Sequence, residues 1–174
     1  MNRNLYLSAA LLSLLAACSD ANQGSGSAAG NPSSTQTQDA PIIENEDLTP
    51  GLKGIDADGN GIRDDIDRLI AKKYAATPAM KKAAELTARA LQKAMEATTN
   101  DEARAAGNEI MRAGSCAYKA FPHATPSEIT LREQMSTEIE ALTANTRERF
   151  KAYWNGERLA GGMVFKLPSN PVCD

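Results

Sequence analysis

The sequence predicts an all-α fold, a bundle of about four helices closed by an extended C-terminal tail, and three observations predict it. Apolar residues recur at three- and four-residue steps through most of the chain after Ile62, which is the period of a helix and not of a strand. Each periodic stretch after the first opens on a threonine placed as a cap: Thr77-Pro78, Thr99 with Glu102, and Thr125-Pro126 with Glu128. Aromatic residues make up only 5% of the 174-residue chain. The core is therefore built mostly from Ala, Leu, Ile and Met, which suit closely spaced helices.

The first helix carries Ile62, Ile66, Leu69, Ile70 and Tyr74 at helical spacing. Thr77 then caps a second helix, with Pro78 at the first helical position, where a missing N–H loses no hydrogen bond. That helix, PAMKKAAELTARALQKAMEAT, is rich in Ala and Leu, with Lys and Glu on its solvent side. Thr99 and Glu102 form a capping box for the third helix, which runs to about Phe121. Its inward face carries Ala106, Ile110, Ala113, Ala117 and Phe121, with Cys116 beside them. The Thr125 cap opens the fourth and longest helix. One stripe on it joins Met135, Ile139, Leu142, Thr146, Phe150 and Tyr153, and Asn155-Gly156 is the expected terminator. The tail after Arg158 is expected to be extended, with a short strand at Met163 to Leu167.

Near the end of that helix, Arg147, Arg149, Lys151 and Arg158 cluster around Phe150, Tyr153 and Trp154. The pattern fits a basic-aromatic patch for anionic glycan or lipid headgroups. It also fits a helix C-terminus, with cations facing the dipole and aromatics in the core, and that second reading is the expectation.

Ahead of the helices stands an acidic run, GIDADGNGIRDDID, in which five of the fourteen residues are aspartate. Counted from Asp56, the run places Asp58 at three, Asn60 at five, Gly61 at six, Ile62 at seven, Asp64 at nine and Asp67 at twelve. This is the ligand spacing of a twelve-residue calcium loop. Asp56, Asp58 and Asn60 would give side-chain oxygens, Ile62 its backbone carbonyl and Asp64 an oxygen directly or through water. Asp67 would close the site from the first turn of the helix, and Gly61 supplies a turn that a Cβ resists. A helix N-terminus alone explains one or two of these carboxylates, such as Asp64 and Asp65, but not the set. Oxygen-only ligands select Ca²⁺ over zinc or copper, with a dissociation constant on the order of 10⁻⁴ to 10⁻³ M.

The stretch DADGNGIRDDID resembles a thrombospondin type 3 calcium repeat. Asn60 replaces an aspartate, Ile62 replaces a valine, and Ile66 stands where a cysteine is common. The resemblance spans twelve residues and implies a metal loop.

At the N-terminus, Asn2, Arg3 and Asn4 precede the apolar stretch LYLSAALLSLLAA, too short to span a bilayer comfortably and proportioned like a secretory leader. It ends in Leu15-Ala16-Ala17-Cys18, which resembles a bacterial lipobox. That resemblance implies a signal peptide over 1–17 and acylation of Cys18 with diacylglycerol and an amide-linked chain such as palmitate. Residues 18–49, rich in Ser, Gly, Asn, Gln and Thr, form the expected flexible tether, and 50–174 the folded domain. Ser19 after the cysteine implies the outer membrane, on its periplasmic side or at the cell surface. In that oxidising compartment the two remaining cysteines, Cys116 and Cys173, are expected to form a disulfide. The whole chain also resembles small proteobacterial lipoproteins in which one acidic loop precedes helices and a C-terminal cysteine, a resemblance that brings no activity with it.

Net charge is −3, which offers nucleic acid no basic field. One histidine, His123, leaves no Ser/His/Asp constellation, and no glycine-rich phosphate loop precedes a helix. The expected function is therefore non-enzymatic: a lipid-anchored, calcium-binding protein with a binding or structural role in the cell envelope, its partner an envelope protein or glycan. The alternative is an enzyme on envelope polymers with carboxylates as acid and base.

Overall fold

The computed structural model describes residues 45–173; the leader, Cys18 and most of the expected tether lie outside them. These residues form α1 (Asp64–Leu69), continued by a π-helical turn (Ile70–Tyr74), then α2 (Pro78–Glu96), α3 (Asn100–Ala120), α4 (Pro126–Thr143) and α5 (Arg147–Ala160). The all-α bundle is as the sequence predicts.

The helix starts are set locally. The hydroxyls of Thr77, Thr99 and Thr125 accept from the amides of Met80, Glu102 and Glu128, and the last two sites are complete capping boxes. Each such cap stabilises its helix by about 1 kcal/mol. The π turn after α1 carries both Ile70 and Tyr74 into the core, and the Tyr74 hydroxyl donates to Glu138 of α4 at 2.7 Å. Burial and that carboxylate push the Tyr74 pKa up.

α2 is the spine, packed against α3, α4, α5 and the π turn. Ala83, Ala84, Ala88, Ala90 and Ala94 of α2 are buried, as are Ala103, Ala106, Ala113 and Ala117 of α3. Such small side chains let helix axes approach closely. Large apolar groups fill the remaining space: Ile66, Ile70, Tyr74, Met95, Phe121, Met135, Ile139 and Leu142 are all nearly inaccessible. The rings of Tyr74 and Phe121 meet at 6.3 Å. The predicted inward face of α3 is buried, with Ile110 partly so.

Three expectations about the predicted fourth helix are corrected. The fourth helix is two helices: α4 ends at Thr143, and α5 begins afresh with Thr146 capping the amide of Arg149. Gly156 does not terminate a helix but lies buried inside α5, pressed against the backbone carbonyl of Ala94 in α2. Phe150, placed by the sequence on the core stripe, is 57% exposed, and Trp154 is 66% exposed.

The tail is extended without a strand at 163–167. Phe165 packs its ring over Gly107, where any Cβ would collide with it. Cys173 is disulfide-bonded to Cys116, and Arg112 donates to the Val172 carbonyl at 3.2 Å. The fold also reaches further towards the N-terminus than Pro50, because Asp47 is buried and bonded to the bundle.

Candidate metal centre

The acidic loop folds around its own backbone. Asp56 accepts from the amides of Asn60 (3.1 Å) and Gly61 (2.9 Å), and Asp58 also accepts from the Asn60 amide at 3.2 Å. Asn60 Oδ1 accepts from the amide of Ile62 at 2.7 Å. Gly61 sits at φ +80°, a conformation that a side chain resists. The Ile62 side chain is buried in the core and anchors the loop's end. Asp64 Oδ1 accepts from the Ala57 amide at 2.9 Å, and the Asp64 amide donates to the Ile55 carbonyl at 2.8 Å, so the loop is closed at its neck. From α2, Arg89 donates to the Asn60 carbonyl at 3.2 Å.

Four of the predicted ligand residues come together at Asn60. Its amide nitrogen donates to Asp58 Oδ2 at 3.0 Å and to Asp67 Oδ2 at 2.8 Å, while its backbone amide meets Asp56. Two carboxylates thus aim at one point, filled by a neutral donor. Burial raises the Asp67 pKa; the Asn60 bond opposes the rise, and the charges of Asp58, Glu85 and Asp56 add to it. The arrangement is an anionic cluster with too little positive charge inside it.

Does this donor set fit a cation? Among the described residues, no three Asp, Glu, His or Cys side chains are placed to hold a metal ion together. Asp56 and Asp64 direct oxygens at loop amides, leaving Asp58 and Asp67 as the convergent carboxylates. Turning the Asn60 amide would bring a third oxygen to the same point, at the cost of the bond it accepts from the Ile62 amide. The chemistry, oxygen donors only with Asp67 destabilised by burial and by like charge, fits a hard divalent ion.

Behind the loop lies a cluster that sequence reasoning missed. Arg63 and Arg149 are buried with Asp47 and Asp65, two cations against two anions. Arg63 donates Nε to Asp65 Oδ1 at 2.7 Å, and its Nη2 donates both to Asp65 Oδ2 at 2.9 Å and to the Leu142 carbonyl at 2.7 Å. Arg149 reaches the carbonyls of Asp47, Thr49 (3.1 Å) and Gly51 (3.2 Å), and Asn145 Oδ1 at 2.9 Å. Asp47 in turn takes the amides of Thr49 (2.8 Å) and Ile55 (2.6 Å). Burial pushes Asp47 up, but the bonds from the Thr49 hydroxyl and from the Ile55 and Thr49 amides, with the charge of Arg149, hold its pKa at about 2. The cluster bolts the segment before the loop to α1, α4 and α5. Asp65, read from the sequence as a dipole-favouring residue, is instead the buried partner of Arg63. The available signal was an arginine set between Ile62 and Ile66 on an otherwise apolar face.

Beside the loop a cleft of about 480 Å³ is lined by Lys53, Arg89, Lys93, Asp56 and Glu96 among others. Its two carboxylates are engaged, Asp56 by loop amides and Glu96 by Gln92 at 2.6 Å. No family model matches the chain, and no curated protein or solved structure matches it either.

Proposed function

We propose that this chain is an outer-membrane-anchored lipoprotein that binds Ca²⁺ and serves a non-enzymatic binding or structural role in the envelope. One observation carries the metal part: Asp58 and Asp67 converge on Asn60, and burial and neighbouring carboxylates raise the Asp67 pKa. Asp58, Asn60 and Asp67 would hold the ion, braced by Asp56 and Asp64 through the loop amides. When bound, the ion supplies positive charge that joins the loop to α1 and fixes the junction where the tether enters the bundle. The buried Arg63–Asp65 and Arg149–Asp47 contacts hold that junction from the other side. The Leu15-Ala16-Ala17-Cys18 motif supports the anchored part.

The test is a calorimetric titration of the chain with Ca²⁺ and, separately, with Mg²⁺. Saturable binding of Ca²⁺ near 10⁻⁴ to 10⁻³ M, lost in Asp58→Ala and Asp67→Ala, supports the metal reading; absence of saturable heat contradicts it. Incorporation of labelled palmitate that disappears in Cys18→Ala tests the anchor.

A further inference from the structure

α5 has two faces of opposite character. Inward, Arg149 and Gly156 are buried and Tyr153 packs against the core. Outward stand Arg147, Phe150, Lys151, Trp154 and Arg158, which at about 100° per residue share an arc of roughly 100°. All five are exposed, and the two aromatic rings are more than half so. Among the described residues none of these three cations forms an ion pair, and Arg158 donates only to the neutral Asn155 amide oxygen at 2.9 Å. The flanking acids are Glu148, which accepts from the Gly51 amide at 3.0 Å, and Glu157. In a chain of net charge −3, this face gathers cations and large apolar rings on one exposed surface.

We propose that this face docks the domain on an anionic lipid surface, with Phe150 and Trp154 entering the headgroup region and Arg147, Lys151 and Arg158 meeting lipid phosphates. Aromatic rings flanked by Lys and Arg are the chemistry of interfacial helices. A glycan is met more often in a cleft, by stacking together with neutral hydrogen-bonding groups, and α5 instead presents its rings on an open helix face among cations. The anchored reading brings a lipid surface within reach of the domain. The described chain starts at Asn45, and two residues later the Asp47 carbonyl accepts from Arg149 in the first turn of α5. That contact is on the buried side of α5, so the docking reading rests on the charge and the apolar rings of the exposed side. Cys18 lies 27 residues before Asn45 (45 − 18), a span of at most about 95 Å. The choice of lipid as occupant rests on the anchored reading above, and each cation near an anionic surface contributes roughly fivefold in partitioning.

Trp154 is the sole tryptophan, so its fluorescence reports on this face alone. The full chain is mixed with phosphatidylglycerol–phosphatidylcholine vesicles or with phosphatidylcholine vesicles. Sedimentation then reports anchoring, and Trp154 emission reports docking. A blue shift with reduced acrylamide quenching on the anionic vesicles, reversed by salt, is expected. Arg147→Glu with Lys151→Glu and Arg158→Glu should abolish the shift while the helical circular dichroism stays unchanged. Sedimentation with both vesicle types and no change at Trp154 overturns docking and leaves the anchor standing. A shift on anionic vesicles only, without sedimentation on neutral ones, supports docking and removes the anchor. A response to an anionic polysaccharide but to no vesicle overturns the proposal in favour of a glycan.

Discussion

Replacing Gly156 by alanine separates the observed packing from the sequence expectation. In an ordinary helix interior the change stabilises by about 1 kcal/mol, through lower backbone entropy in the unfolded chain. Here the new Cβ would stand 3.1 Å from the carbonyl carbon of Ala94 and closer still to its oxygen. That is backbone and cannot swing aside. α5 must move from α2 by roughly 1 Å, and overpacking of this kind costs about 2 to 4 kcal/mol. The net loss is about 1 to 3 kcal/mol, or a fall in Tm of roughly 4 to 12 °C for a domain of this size. The control is Gly114→Ala in α3, where no atom lies within 4 Å of the added carbon; its Tm should rise slightly. Thermal melts followed by circular dichroism decide the matter. A Gly156→Ala chain as stable as the parent would refute the α2–α5 contact and restore Gly156 as a helix terminator.

Other outcomes follow from the same contacts. Cys116→Ser with Cys173→Ser removes a bridge between residues separated by 57 positions, and loop-closure entropy puts the loss near 4 kcal/mol. Denaturant titration under oxidising conditions measures it, and an unchanged midpoint contradicts it. Asp47, whose pKa falls from 3.8 to about 2 on folding, contributes about 2 kcal/mol that is fully present above pH ~4 and lost as pH drops towards 2. Asp47→Asn should flatten the stability–pH curve in that window and lower stability at neutral pH; a curve parallel to the parent's sinks the assignment. Phe165→Ala should free the tail from Gly107 and speed hydrogen exchange on the adjoining face of α3, while α1 exchange stays unchanged.

Much of this architecture is written locally. Thr77, Thr99 and Thr125 each announce a helix within four residues, because a cap bonds only its own first turn. The break between α4 and α5 was hidden because Thr146 fits two patterns, a position on an apolar stripe and a cap. What decides between them is Arg149, whose partners Asp47, Thr49 and Gly51 lie about a hundred residues away. Once Arg149 turns inward, Phe150 and Trp154 face out, and periodicity alone cannot report that rotation. The acidic loop shows the same division. Spacing predicts Asp56, Asp58, Asn60, Ile62, Asp64 and Asp67 as one set; the structure gathers Asp56, Asp58 and Asp67 at Asn60, while Asp64 turns to the Ala57 amide. The contributions of Glu85 and Arg89 depend on how α2 docks beside the loop.

The loop as a structural cation site is tested most directly by melting the chain in calcium and in chelator. With a dissociation constant of about 10⁻⁴ to 10⁻³ M, 10 mM Ca²⁺ adds roughly 1.4 to 2.7 kcal/mol by mass action. Tm should then rise by roughly 4 to 10 °C over the chelated chain. Asp56→Ala with Asp58→Ala should erase the difference while leaving the helical signal intact. A Tm equal in calcium and chelator would contradict the account.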